Sequence, residues 1–227
     1  MGFEYFQGYF FSKPEILKGK STPPSKLTLL QLMAEANRND CRFSEIEKAI
    51  QRDVAMSYKL MRYINSAYFR RVQEISSIKQ AIVLLGEKEI RRFVSFMALA
   101  NLAEDKPDEL IRASIIRAKL CELLGKGGHS QVDEAELFTV GLFSLIDAIM
   151  DEHIEDLMEK VPLSTDIKLA LVKGEGPLAN YLEIARCYET GDWERFRTVV
   201  AELGVDDENI PESYMDAVAW AESLAAL

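Results

Sequence analysis

The chain has 227 residues, of which 48% are hydrophobic and 28% are charged, and its formal net charge is −10. This length suits one large domain or two small ones with an ample core. No apolar run reaches the roughly 18 residues that a membrane-spanning helix needs, and no secretory signal opens the chain. Residues 151–227 carry 18 acidic and 6 basic side chains, so they would repel phosphate, and we expect neither a membrane nor a nucleic acid as partner.

The first 14 residues are rich in aromatic side chains. Aromatic residues crowded around Gly8 and ended by Pro14 predict a β-strand rather than a helix. A lone strand cannot satisfy its own backbone groups, so it must pair with another element. We interpret residues 1–18 as this strand segment and residues 19–26 as a linker. The aromatic residues are Phe3, Tyr5, Phe6, Tyr9, Phe10 and Phe11.

Residues 27–227 predict an all-α, multi-helix domain. Ser44 and Glu47 have the spacing of a capping box and open a short helix, and Asp53 is placed to cap the next helix, which runs to Asn65. Glycine and proline punctuate the helices that follow. These are predicted over residues 78–85, 87–103, 107–124, 133–150, 152–159, 164–173, 177–189, 192–203 and 211–225.

The motif Asn65-Ser66-Ala67 is the most informative stretch of the chain. Asn65 is suited to the left-handed conformation that closes a helix, Ser77 can cap the following helix, and Gly86 can end it. This helix–loop–helix resembles the HDOD domain, a bacterial signalling module that looks like an HD phosphohydrolase without its metal ligands. The resemblance implies an HD-like helical bundle. We expect Asn65, Ser66, Ala67 and Gly86 to have structural roles, and the alternative for Asn65, Ser66 and Ala67 is direct contact with a partner.

Two further stretches resemble regulators in which an EAL domain, a barrel that hydrolyses cyclic di-GMP, precedes an HDOD domain. The string from Phe6 to Pro14 is similar to the closing strand of that barrel, which implies that residues 1–18 are a remnant of an EAL-like domain. The string from Leu182 to Trp193 is similar to the C-terminal helices of these regulators. Trp193 follows a helix break and is predicted to anchor the core.

Catalysis of the HD type would need a histidine, an adjacent His-Asp pair and a further aspartate around divalent metal ions. The resemblance aligns Ser144-Leu145, within Gly141–Asp147, with the His-Asp pair, and neither side chain is a good metal ligand. His129 lies in a glycine-rich loop and His153 at an acidic helix start, without matched ligand spacing. We therefore predict no catalytic residue, no metal and no cofactor. The alternatives are a metal-dependent phosphohydrolase with rearranged ligands and a scaffold that binds a nucleotide without turnover.

A basic cluster is the candidate partner surface. Spacings of three and four place its helical members on one face of the helix after Gly86. They could contact an acidic partner, or they could form a solvated face that pairs with Glu87 and Glu89. The members are Arg70, Arg71, Lys88, Arg91 and Arg92.

The predicted function is therefore non-catalytic signalling through protein–protein contact, with other signalling proteins or the chain's own EAL-like domain as partners. The strand could fold back onto its own helical domain or pair with a second copy. The aromatic residues occupy both faces of the strand, and one helix surface would cover only one face, which favours a homodimer paired through this strand. The three cysteines, Cys41, Cys121 and Cys187, lack a Cys-x-x-Cys spacing and indicate reduced thiols in the cytoplasm.

Overall fold

The computed structural model describes residues 23–38, 42–69, 75–127, 132–205, 207–225 and 227. The predicted aromatic strand at residues 1–18 lies outside these ranges, and so does most of the predicted linker. Within them every regular element is a helix, which confirms the all-α prediction for the described part of the chain. No helix in these ranges has both the length and the apolar character needed to cross a bilayer.

Twelve α-helices and two short 3-10 turns make up the described ranges. One turn, Ala67–Phe69, follows α3, and the other, Asp207–Asn209, precedes α12. The helices are α1 (Pro24–Ala36), α2 (Phe43–Arg52), α3 (Val54–Ile64), α4 (Ile78–Leu102), α5 (Asp108–Gly127), α6 (Glu134–Phe143), α7 (Ile146–Met150), α8 (Ile154–Lys160), α9 (Thr165–Lys173), α10 (Ala179–Thr190), α11 (Trp193–Leu203) and α12 (Ile210–Ala225).

Helix starts follow local side-chain chemistry. Asp53, Ser77 and Asp133 each accept a hydrogen bond from a backbone N–H two or three residues further on, at the starts of α3, α4 and α6. Such caps satisfy donors that the first helical turn leaves without intrahelical partners. The caps at Asp53 and Ser77 were predicted from the sequence, and the structure confirms them.

Several predicted boundaries differ from the structure, three of them for clear local reasons. α1 begins at Pro24, inside the predicted linker, because a proline in the first helical turn loses no hydrogen bond. α2 begins at Phe43, so Ser44 lies inside the helix and does not cap it. The helix predicted over residues 133–150 is interrupted at Ser144-Leu145, which separates α6 from α7.

α5 is the central helix, and it contacts α4, α6, α10 and α12. Its contact with α6 depends on Gly141, because a Cβ atom there would lie 2.5 Å from the Ala118 Cα and from the Arg117 carbonyl oxygen. Elsewhere α1 packs along α4, α3 packs on α4, and α10 packs on α11. Gly141 thus brings the end of α6, where the chain breaks, against the middle of α5.

The core contains a different tryptophan from the one predicted. Trp193 is 50% exposed, with its ring edge against Tyr188 at 5.4 Å between centroids, so the prediction that it anchors the core was wrong. Trp220 of α12 is completely buried and belongs to the same core as Tyr63 and Phe93. Trp193 is the first residue of its helix, where its side chain lies at the edge of the α10–α11 packing.

Candidate functional site

The position aligned with the His-Asp pair is the break between α6 and α7. Ser144 ends α6, and its hydroxyl donates to the Gly141 carbonyl oxygen at 2.7 Å. Leu145 follows with its side chain buried in the core. A leucine side chain has no atom that can coordinate a metal, and the serine hydroxyl is already engaged with the backbone. The break therefore presents no counterpart of a metal-binding pair.

A buried arginine approaches this break from α5. Arg117 forms a two-pronged ion pair with Glu189 of α10, with Nε 2.8 Å from Oε1 and Nη2 2.7 Å from Oε2. Its remaining nitrogen, Nη1, donates to the Ser144 hydroxyl at 3.2 Å. Only 3% of Arg117 is exposed. The Arg117 guanidinium thus contacts Ser144, the residue aligned with the histidine of the His-Asp pair. Through Ser144 and Glu189, Arg117 joins α5 to α6 and α10.

Asp147 is the carboxylate closest in sequence to Ser144. Burial raises its pKa above the usual range, although hydrogen bonds from the backbone N–H groups of Ala148 and of Asp147 itself oppose the shift. A divalent metal ion needs several oxygen or nitrogen ligands. Here it would find the half-buried carboxylate of Asp147 and a Ser144 hydroxyl that is already hydrogen-bonded, and the Arg117 guanidinium would repel it. The residues present at the break therefore do not fit a metal ion.

The histidines give no alternative site in the described ranges. His153 is exposed and precedes α8, where Glu155 and Asp156 occupy the first turn; acidic residues are favourable there because of the helix dipole. His129 lies outside the described residues. Among the described side chains, no group of three or more His, Cys, Asp or Glu residues is arranged to hold a metal.

The motif at the end of α3 has a clear structural role. The Asn65 amide donates to the Met61 carbonyl at 3.0 Å and to the Ile75 carbonyl at 2.8 Å, and its oxygen accepts the Ile75 N–H at 2.8 Å. Asn65 does not adopt the predicted left-handed conformation: its φ is −89° and its ψ is 4°. It closes the helix through its side chain instead and ties α3 to the segment that leads into α4. Ser66 and Ala67 then begin the 3-10 turn.

Gly86 interrupts α4, as predicted. Its φ of 75° and ψ of 168° are not helical, so α4 consists of two helical stretches on either side of this residue. Few residues other than glycine tolerate this conformation. The two stretches correspond to the helices predicted over 78–85 and 87–103.

A comparison with known protein families gives the same assignment. The family model of the HDOD domain matches residues 22–166, more than half of the chain. The chain belongs to the HDOD family. The matched segment ends at the start of α9, so α10, α11 and α12 lie beyond it. α10 and α12 nevertheless pack directly on α5, and α11 packs on α10.

Two curated relatives of this HDOD chain are similar along nearly its whole length. Cyclic di-GMP phosphodiesterase CdgJ of Vibrio cholerae is 38% identical over 226 residues. YuxH of Bacillus subtilis, an uncharacterized protein, is 34% identical over 228 residues. The alignments cover 100% and 98% of this chain but only 52% and 54% of the two relatives. The chain thus spans about half the length of the curated relatives that it matches.

Two crystal structures share the HDOD fold seen here. A protein from Marinobacter aquaeolei, provisionally named a signal transduction protein, aligns with a TM-score of 0.63 at 15% identity, over 90% of this chain and 58% of its own. A protein from Shewanella amazonensis, provisionally named a metal-dependent phosphohydrolase, aligns with a TM-score of 0.54 at 18% identity, over 90% and 92% of the two chains. At these identities the likeness concerns the fold alone.

The basic side chains of α4 in this HDOD domain are engaged with acidic ones. Arg92 is buried, with 6% exposed, and forms ion pairs with Glu89 and Glu122. Lys88 Nζ lies 2.8 Å from Glu122 Oε1, and Lys88 also forms an ion pair with Glu134.

Arg91 completes the set by pairing with Glu87 and donating to the Ala36 carbonyl at 2.7 Å. Arg92 is therefore not available to a partner, and Lys88 and Arg91 join α4 to α5, α6 and α1. Arg70 and Arg71, the other members of the predicted surface, lie outside the described residues, and their contact with a partner stays a prediction.

A second buried polar cluster connects α3, α4, α5 and α12. The Trp220 indole N–H lies 2.7 Å from the Tyr63 oxygen and 2.8 Å from Glu89 Oε1, and the Tyr63 hydroxyl also donates to Glu89. Burial would raise the pKa of Glu89, but the nearby Arg92 and Lys119 and these hydrogen bonds outweigh it and hold the pKa below its usual value. Burial, reinforced by Arg92, lowers the pKa of Lys119 to about 8.

The sequence analysis did not identify Arg117 and Glu189. The two residues are 72 positions apart, so no local spacing joins them. One signal was available: Arg117 lies between Ile116 and Ala118 in a helix whose buried face is otherwise mostly apolar. A charged residue on such a face requires a partner, because an isolated buried charge is very costly. This signal indicates an ion pair but does not name the second residue.

Proposed function

We propose that this chain is a non-catalytic signal-transduction module that acts by protein–protein contact in the bacterial cytoplasm. In a longer protein it would regulate, or be coupled to, an EAL domain that hydrolyses cyclic di-GMP. The partners would be that domain or other signalling proteins, and the chain itself would hydrolyse nothing. A homodimer through the aromatic residues 1–14 stays a prediction from the sequence.

The observation that carries the proposal is the contact between Arg117 and Ser144. A hydrolytic HD site concentrates metal ligands at the aligned position, because the metal activates water and stabilises charge on phosphate. Here a guanidinium held by Glu189 donates to the serine hydroxyl, and Leu145 is buried. The Arg117 guanidinium thus occupies the space next to Ser144, and the carboxylate of Glu189 neutralises its charge.

The coupling to an EAL domain rests on sequence similarity. CdgJ is named as a cyclic di-GMP phosphodiesterase, and this chain matches about half of its length. The string from Phe6 to Pro14 resembles an EAL strand, as described above. The cytoplasmic assignment has support from Cys121 and Cys187, which are unpaired and buried. Burial raises the pKa of the Cys121 thiol to about 12, which keeps it protonated and unreactive.

Two measurements on the purified chain test the proposal. Elemental analysis of protein prepared without chelator should find no divalent metal near one equivalent. Incubation with cyclic di-GMP and Mg²⁺ or Mn²⁺ should give no turnover above a control without protein, with full-length CdgJ as the positive control. Turnover that is lost in Asp147→Asn would show that the break between α6 and α7 is a catalytic site and that the phosphohydrolase alternative is correct. Stoichiometric metal that is lost in the same variant would contradict the absence of a metal site at the break.

A third measurement addresses the nucleotide-binding alternative. Calorimetric titration of the chain with cyclic di-GMP should give no binding heat, because the proposed activity is contact with protein. Saturable binding of the nucleotide without hydrolysis would favour a scaffold that senses cyclic di-GMP directly.

A further inference from the structure

Two groups of helices in the described part of the chain carry opposite charge. Residues 42–69 and 75–85 contain six basic and three acidic side chains, whereas residues 192–205 and 207–225 contain two basic and eight acidic ones. The first group is α2, α3 and the stretch of α4 before Gly86, and the second is α11 and α12. Each group also exposes large apolar side chains.

Basic and apolar side chains lie together on the first group. The exposed Val54 and Tyr58 are four residues apart in α3, as are Lys79 and Val83 in α4, so each pair shares one side of its helix. α3 contacts both α2 and α4. The exposed cations here form no ion pair with a described residue. We define the basic face by Lys48, Arg52, Val54, Tyr58, Lys79 and Val83.

Aromatic rings and carboxylates lie together on the second group. The Tyr188 ring of α10 lies 5.4 Å from that of Trp193 and 4.7 Å from that of Tyr214, between centroids. Trp193 is 50% exposed and Met215, next to Tyr214, is 64% exposed. Three exposed carboxylates within three residues of these side chains form no ion pair with a described residue. We define the acidic face by Trp193, Glu194, Glu212, Met215 and Asp216.

The two faces lie toward opposite ends of the central helix. Burial raises the pKa of Tyr214, and the nearby carboxylate of Glu109 adds to the shift, which places the acidic face beside the start of α5. Further along α5, Glu122 pairs with Lys88, just after Gly86. α5 rises about 20 Å from Glu109 to Glu122, and the stretch of α4 in the basic face lies beyond Gly86. One copy therefore cannot bring its own two faces into contact.

We propose that the basic face of one copy binds the acidic face of a second copy, head to tail. The faces are complementary in charge. Of the seven large apolar side chains exposed in the described ranges, four belong to α3 and the first stretch of α4 and two to the acidic face, so the contact would bury apolar surface as well. The inference rests on the proposed function, since it names a second copy as a partner for protein contact.

A head-to-tail contact has a consequence that a two-fold dimer lacks. Each copy in a pair keeps one unused face, so further copies can add until a ring closes or an open chain forms. Association should therefore continue beyond the dimer as the protein concentration rises.

Light scattering after size-exclusion chromatography of the full chain tests the inference. The average mass should rise with protein concentration at low ionic strength and return to the monomer at high salt, because salt screens exposed charges. Arg52→Gln with Lys79→Gln should weaken this association several-fold, and so should Glu212→Gln with Asp216→Asn. Each double substitution neutralises one face and leaves the other intact.

Mixing the two variants identifies the head-to-tail arrangement. Each variant keeps the face that the other lacks, so an equimolar mixture should form dimers at a concentration at which each variant alone is monomeric. Glu159→Gln with Glu175→Gln is the matched control, because it removes two exposed carboxylates outside both faces and should leave association unchanged. Circular dichroism would verify that all variants stay helical.

Three outcomes would overturn the inference. They are a chain that is monomeric at every concentration and ionic strength, association that both face variants retain in full, as pairing through residues 1–14 would give, and a mixture that stays monomeric. A monomeric chain would leave contact with other signalling proteins intact, and none of these results bears on metal content or turnover. The inference can therefore fail while the proposed function stands.

Discussion

Replacing Trp220 with phenylalanine tests whether the buried polar cluster holds α12 to the rest of the fold. The indole N–H contacts Tyr63 and the ionised Glu89 in a fully buried position. The ring also meets Phe138 edge to face at 5.9 Å, and Lys119 Nζ lies 5.3 Å from its centroid. Phenylalanine keeps an aromatic ring there but removes the donor and leaves a small void.

The expected loss of stability follows from these contacts. A hydrogen bond to a charged group contributes about 1.5–3 kcal/mol, and incomplete filling of the space adds a cavity cost of order 1 kcal/mol. Trp220→Phe should therefore lower the free energy of unfolding by about 2.5–4 kcal/mol, a large fraction of the roughly 5–15 kcal/mol of a typical domain. Trp193→Phe is the matched control: this residue is 50% exposed, and its replacement should cost no more than about 0.5 kcal/mol.

Urea unfolding followed by far-UV circular dichroism measures both changes. The chain has two tryptophans, so Trp193→Phe leaves Trp220 as the only indole, and acrylamide should quench its fluorescence weakly. In Trp220→Phe the remaining Trp193 should be quenched readily. Equal destabilisation by the two substitutions, or easy quenching of Trp220, would refute the assignment of Trp220 as the core anchor.

Three further expectations concern charge, backbone and metal. The fold lowers the pKa of Glu89, so the stabilising effect of this carboxylate is complete above its unfolded pKa near 4.5 and is lost as the pH falls through the folded pKa. Glu89→Gln should therefore weaken the fall of the melting temperature at acidic pH. An unchanged fall would argue against the cluster. Gly86→Ala should cost about 1–3 kcal/mol, because its φ of 75° and ψ of 168° suit glycine almost alone. Gly204→Ala, at φ 64° and ψ 28°, should cost about 1–2 kcal/mol. The new Cβ atoms at positions 86 and 204 meet no neighbour within 4 Å, so both costs come from backbone conformation alone. A larger loss of stability in Gly204→Ala than in Gly86→Ala would contradict this explanation. Dialysis against EDTA should leave the melting temperature unchanged, and a clear decrease would indicate a structural metal that the proposed function does not allow.

Features that depend on a few neighbouring residues could be predicted from the sequence. The caps at Asp53 and Ser77 and the break at Gly86 are decided by the side chain or the backbone freedom of one residue, so the sequence contains them directly. Asn65 shows where this reasoning ends. Its position at the helix end was predicted, but its mechanism depends on Ile75, ten residues away, which offers both a donor and an acceptor to its amide.

Features that depend on which helix faces meet could not be predicted in the same way. Trp193 and Trp220 both lie in amphipathic helices, and only the docking of α12 on α5 determines that Trp220 is the buried one. The pairing of Lys88 and Arg92 with Glu122 could not be predicted, because Glu122 lies on another helix. The role of Arg117 could not be predicted either, because its partner Glu189 lies 72 residues away in the sequence.

Two sets of buried ion pairs hold the central helix of the fold. Breaking a buried ion pair by removing one partner typically costs about 3–5 kcal/mol, because the remaining charge is left uncompensated. Arg117 faces α6 and α10 through Ser144 and Glu189, whereas Glu122, on the same central helix, pairs with Arg92 of α4. α5 is thus fixed on two sides by ion pairs, and the loss of one charge in either pair would leave the other uncompensated. The motif after α3 and the outer face of α12 lie at the edge of this centre, and they are joined through the hydrogen bond between Trp220 and Tyr63.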